Sequence, residues 1–176
     1  MGRFVQDAPL ERVREKGLSM ALFEEDMQEE LARSARLVEE TISALGIEPA
    51  TVRLVAPSGG HAWSLMRGSA VIAIFLRPPR SNEESPFLRV ISPIVVIDAS
   101  HEAALFRHLL ELNASGLASV AFGIHEGKVV AVSERPTRDL DPSEVRYIVQ
   151  IVGAVADHYD DEIIKRFGGT RVSDKK

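Results

Sequence analysis

Residues 70–75 read AVIAIF, and their reading decides the fold. In an extended strand, successive side chains point to opposite faces. Ala70, Ile72 and Ile74 then share one face, and Val71, Ala73 and Phe75 share the other. Both faces are apolar. PIVVI, residues 93–97, has the same property. Strands of this kind are normally covered on both sides. Helices of the same chain can supply one cover. The second cover is unassigned, and a partner subunit can supply it.

Working outward, AWSLMRG (62–68) precedes the first of these strands, and TVRLVAP (51–57) precedes that, with Gly59 and Gly60 of SGGH reading as a hairpin turn. The loop RPPRSNEESP (77–86) holds three prolines and mixed charges, so it reads as an exposed connection. Residues 118–136, ASVAFGIHEGKVVAVSERP, form a second hairpin around HEGK.

Three helical stretches flank these strands. In residues 19–46, Phe23, Met27, Leu31, Val38, Ile42 and Leu45 form an apolar stripe, opposed by Glu24, Glu29, Arg33, Arg36 and Glu40. Gly46 and Pro49 end that helix. LFRHLLELNASG (105–116) carries Leu105, Leu109 and Leu112 at packing spacing and closes on Asn113 through Gly116. Asp98 or Ser100 can cap its start. In DLDPSEV (139–145), Asp141, Pro142 and Glu144 signal a capped helix, whose apolar face runs from Val145 to Ile163.

The expected class is therefore α+β: helix, three to four strands, helix, two strands, helix, around a mainly antiparallel sheet. Residues 1–18 read as a partly flexible leader, 19–167 as a single domain and 168–176 as a solvated tail.

Composition narrows the function. The 176-residue chain carries a net charge of −5, which argues against gripping nucleic acid through phosphates. It has no cysteine, and so no disulfide, thiolate metal site or cysteine nucleophile. The N-terminal residues lack an apolar signal core, and no apolar run approaches the ~20 residues of a membrane span, so a cytoplasmic location is expected.

Candidate chemistry is thin. His101 and His108 share a helix face, but seven residues apart, without the HExxH pattern. In DHYDDE (157–162), Asp157/Asp161 and His158/Glu162 have spacing for a divalent ion, yet read first as a solvated outer face. Acids near a helix C-terminus are disfavoured by its dipole, which hints at a basic partner. PSGGHAW lacks the GK[ST] ending of a phosphate loop, and no GxSxG elbow exists. Arg67, Arg77 and Arg80 read as strand-end charges or as a contact for an acidic segment. No catalytic residue, cofactor or metal is expected.

The order of several stretches resembles the YbjN-type, type III secretion chaperone-like proteins. They are WSLMRGSAVIAIFL (63–76), LRVISPIVVI (88–97), LFRHLLELNA (105–114) and VAFGIHEGKVVAVSERPTRDLDPSEV (120–145). The resemblance covers roughly residues 20–165; the leader and the 77–86 loop lie outside it. It implies the element order read above, and homodimers. Members similar to secretion chaperones hold extended segments of partner proteins, and YbjN-like members are regarded as sensory or stress regulators. No catalytic residue comes with it.

The leading expectation is a non-enzymatic, dimeric binding module holding an extended segment of a partner protein. The apolar strand surplus motivates it. Subunit or partner contact is expected at Trp63, Ile94, Val96, Val152 and Val155. Two alternatives stand beside it. One is a small-molecule or metal-dependent enzyme using His101, His108 or the 157–162 acids. The other is a nucleic-acid-linked stress regulator using a basic strip near Arg77 and Arg80.

Overall fold

A computed structural model describes residues 8–56, 59–80 and 83–174, with side chains from Glu24 onward. In chain order the elements are α1 (Ala8–Ala44), β1 (Arg53–Leu54), β2 (His61–Arg67), β3 (Ala70–Arg77) and β4 (Phe87–Val96), then α2 (Glu102–Ser115), β5 (Ala121–His125), β6 (Lys128–Pro136), α3 (Pro142–Phe167) and β7 (Thr170–Arg171). The strands form one antiparallel sheet in the order β1-β2-β3-β4-β6-β5, and β7 pairs with β4. The α+β class and the element order match the sequence reading.

Local chemistry explains the ends of the elements. Asp141 caps α3: its Oδ1 accepts from Ser143 N at 2.7 Å and Glu144 N at 3.1 Å, while Glu144 Oε2 accepts from Asp141 N at 3.2 Å. At the end of α1, Gly46 has φ 79° and donates to Ser43 O, and Ile47 N donates to Ile42 O. That pair of bonds is a Schellman closure, which needs the left-handed conformation glycine tolerates. The β5–β6 turn places Glu126 and Gly127 at positive φ, as a tight hairpin requires.

Two boundaries differ from expectation. First, α1 begins at Ala8, so much of the expected leader is helical. Leu10, Glu11, Arg12, Arg14, Glu15 and Lys16 are strong helix formers, and Gly17 inside a helix costs only about 1 kcal/mol relative to Ala. Residues 1–7 lie outside the described residues. Second, the expected solvated tail contains β7, which pairs Arg171 with Val95 and Thr170 with Val96. Lys175 and Lys176 lie outside the described residues.

The core lies between one face of the sheet and the helices. Ala70, Ile72, Ile74 and Leu76 of β3 are buried in it, with Trp63, Leu65, Leu88 and Val90 alongside. Leu31, Val38 and Ile42 of α1 cover them, with Val145, Val149, Val152 and Ile163 of α3. Leu105 and Leu109 bring α2 into the same core. Gly153 lets α3 approach closely, since a Cβ there would stand 2.6 Å from Ile72 Cδ1.

The second face of the sheet is different. Val71, Ala73 and Phe75 are only half-buried and stand outside the core cluster. The double apolar character of PIVVI has another cause. A register shift between Pro93 and Val95 sets both Ile94 and Val95 into the core.

Candidate functional site

The residues expected to meet a partner are mostly inside the subunit. Trp63 and Val152 are 0% exposed, Ile94 3% and Val155 8%. All four belong to the core of this chain, so none has a surface to offer another. Of the five, Val96 alone is half-buried, and it pairs with Lys128 and Thr170. Periodicity identified these positions as apolar but could not say which covering would bury them.

The acidic run at the end of α3 has its basic partner within the chain. Arg171 Nε donates to Asp160 Oδ2 at 2.8 Å, and the same guanidinium pairs with Asp161. Asp160 also accepts from Ser69 Oγ at 3.0 Å. One nearly buried carboxylate thus ties α3, the β2–β3 turn and β7 together. His108 packs on Phe167 in a tilted arrangement, with centroids 5.3 Å apart and ring planes at 37°, and lies 3.4 Å from Glu162 Oε1. His101 contacts Ser100 instead. Among the described residues, no group of three His, Asp or Glu side chains is placed to hold a metal ion.

The three arginines are not brought together. The register pairs Arg67 with Ala70 and His61 with Leu76, so Arg67 and Arg77 lie at opposite ends of the β2–β3 hairpin. Arg67 Nη1 donates to Gln150 O at 2.6 Å. Arg77 is clasped by Glu83 at 2.5 and 2.9 Å and reaches Glu134 at 3.0 Å, while Arg89 meets Glu134 at 2.8 Å. The Arg77 guanidinium, with a further bond from the Arg80 backbone N–H, holds the Glu83 carboxyl at about 2. Glu83 in turn pushes Arg77 upward.

Two exposed apolar regions remain, and sequence reading missed both. The first is at the β2 edge. β1 pairs only with Ala62 and Trp63, so among the described strands Ser64 through Arg67 have no outer partner. Beside this free edge runs a groove of about 640 Å³, lined by Leu45 and Ile47 after α1, by Leu65 and Met66 of β2, and by Tyr147 and Ile151 of α3. Met66 is 62% exposed, Tyr147 48% and Leu45 40%. An unpaired strand edge next to an apolar groove can take an extended peptide, with backbone bonds for affinity and the groove for side chains.

The second region is at the β5 edge. Asn113 of α2 accepts from Phe122 N at 2.7 Å through Oδ1 and donates to Phe122 O at 3.1 Å through Nδ2. The amide satisfies an outward-facing backbone pair, as a neighbouring strand would. By the alternation of an antiparallel ladder, the backbone of Ile124 faces outward too. Ile124 is 44% exposed, and Leu110, one turn before Asn113 on α2, is 68% exposed. The first region carries no sequence signal, because TVRLVAP (51–57) reads as a strand as long as AWSLMRG and nothing local shows that it pairs at only two positions. The second carries no sequence signal, because Asn113 reads equally well as a helix terminator.

Among the described residues no helix is long and apolar enough to cross a membrane. No curated protein sequence matches the chain. Among the solved structures that share its fold are these two. One is described as "Crystal Structure of the ExsC-ExsE Complex", with 17% identity and a TM-score of 0.54, covering 74% of this chain and 93% of that one. The other is described as "Structure of the HopA1-SchA Chaperone-Effector Complex", with 14% identity and a TM-score of 0.50, covering 73% of this chain and 93% of that one. Residues 32–175 match TY-Chap1, the "T3SS (YopN, CesT) and YbjN peptide-binding chaperone 1" family. The chain belongs to that family of peptide-binding chaperones.

Proposed function

We propose that this protein is a non-enzymatic, cytoplasmic chaperone or adaptor that holds an extended, apolar segment of a partner protein along the outer edge of β2. The observation that carries the reading is the stretch Ser64–Arg67, which has no outer partner among the described strands, beside the groove of Leu45, Met66 and Tyr147. The half-buried second face of the sheet, with Val71, Ala73 and Phe75, extends the apolar area available to such a segment. Family membership supports peptide binding as the activity.

The same proposal includes a homodimer. Its contact is the β5 edge with Leu110 and Ile124, in place of the buried residues expected from sequence. A two-fold pairing there would set the same patch of each subunit against its twin.

Met66→Glu tests the peptide site. Labelled extended apolar peptides should bind the wild type, measured by fluorescence anisotropy, and lose at least tenfold in affinity to Met66→Glu while its melting curve stays unchanged. Equal affinity would remove the β2 edge as the site. Sedimentation of Leu110→Glu tests the dimer, which this change should convert to a monomer.

A further inference from the structure

The short strand that closes the end of β2 is held by a contact that only a neutral imidazole can make. β1 meets β2 at two positions, Arg53 opposite Trp63 and Leu54 opposite Ala62. Arg53 adds two side-chain bonds. Its Nη1 donates to Glu39 Oε1 of α1 at 2.8 Å, and its Nη2 lies 2.7 Å from Nδ1 of His61. A guanidinium has donors and no acceptor. Nδ1 must therefore offer its lone pair, and the ring must carry its one proton on Nε2. Arg53 also lies over the Trp63 ring, 5.8 Å from its centroid, and His61 stacks against that ring at 5.9 Å and 18°.

The charged groups facing His61 are Arg53 from β1 and Glu39 from α1. From β3 its ladder partner is Leu76, which carries no charge. Arg36, Glu40 and Glu48 line the cleft that continues past Arg53. Burial first, and Arg53 second, hold His61 below the usual imidazole range, while Glu39 opposes them.

We propose that His61 is a pH-sensitive latch on β1. Taking up a solvent proton on Nδ1 sets two cations 2.7 Å apart, drives Arg53 from its place between Glu39 and Trp63, and releases β1. The free outer edge of β2 then grows from Ser64–Arg67 to the whole strand. The use of that longer edge rests on the peptide-binding reading above; the latch itself does not. Because the neutral form is favoured in the folded protein, the latch is fully closed above about pH 6.5, the ordinary imidazole value, and weakens as pH falls below it.

Trp63 is the only tryptophan of the chain and is 0% exposed beneath this contact. Acrylamide quenching of its fluorescence, on the full chain without peptide, reads the latch from about pH 8 to about pH 5. The quenching constant should rise several-fold in the wild type with a midpoint below about 6.5, while far-UV circular dichroism stays constant. In His61→Asn the side-chain oxygen keeps the acceptor and does not titrate, so the constant should stay low throughout. A flat wild-type curve, an equal rise in His61→Asn, or a rise that tracks global unfolding would each overturn the latch. Peptide affinity is read separately, so a failed latch with intact peptide binding leaves the chaperone reading standing, and the reverse result removes only that reading.

Discussion

Arg171 of the last strand reaches back to Asp160 of α3, Nε to Oδ2 at 2.8 Å, and in doing so holds the end of the chain on the sheet. The Asp160 side chain is 7% exposed, so its charge has little water to fall back on. Removing one partner of a buried pair costs about 3–5 kcal/mol, because the other charge is left uncompensated. Arg171 is itself 24% exposed, so Arg171→Met should lower stability by about 1–3 kcal/mol in denaturant melts, between the costs of a surface pair and a buried one. Adding Asp160→Asn should recover much of it. A loss confined to the first few tenths of a kcal/mol would mean that the pair behaves as a surface bridge.

Asn113 makes two bonds to the backbone of Phe122, whose side chain is 6% exposed. Asn113→Ala leaves a backbone donor and acceptor without that partner, an expected cost of about 1–3 kcal/mol. Hydrogen exchange at the Phe122 amide should accelerate along with it. Asn113→Asp keeps the acceptor for Phe122 N–H but sets a carboxylate against Phe122 O, so it should protect the amide without restoring full stability.

Leu109 is 4% exposed in the middle of α2. Leu109→Ala should cost about 2–5 kcal/mol through lost burial and the cavity left behind. The change should appear in the melting curve, whereas peptide affinity of the folded fraction should be unchanged. An unaltered melt would show that α2 does not pack as described.

Glu83 provides a test by pH. Its carboxyl is held at about 2 against an ordinary 4.5, by Arg77 first and by the Arg80 backbone N–H second. A lowered value means the clasp is complete above about 4.5 and is lost as pH falls through about 2. The carbon chemical shift of the Glu83 carboxyl should titrate near 2. A midpoint at the ordinary value would show that the bidentate contact with Arg77 is absent in solution.

What could be read from the sequence was chemistry acting over a few residues. Asp141, Pro142 and Glu144 signal the start of α3 because a cap is completed within one turn. Leu105 and Leu109 declare a buried helix face through spacing alone. The succession of strands and helices along the chain followed from alternating faces and turn residues, whereas the order of strands within the sheet did not. Tertiary geometry decided the rest. Thr170 and Arg171 are too few to register as a strand, and their pairing depends on the end of β4 being free on one side. Met66 sits in a strand whose sequence does not reveal that β1 stops short of it. Trp63, Ile94, Val152 and Val155 illustrate the same limit from the other direction: a greasy residue announces that it is buried, and only the assembled chain shows by what.

The irregularity between Pro93 and Val95 has a consequence for how this chain can vary. It absorbs one surplus residue, so that Ile94 and Val95 both enter the interior while Val96 still meets Thr170. A genetic deletion of the single codon for Ile94 would restore plain alternation, leaving Val95 inside opposite Val129 and Val96 opposite Lys128, and would cost the interior one side chain without upsetting the docking of the final segment. A residue added elsewhere in the strand has no such outlet and would turn every later side chain to the other face, so the 77–86 connection at the other end of the same strand is the place where insertions can accumulate.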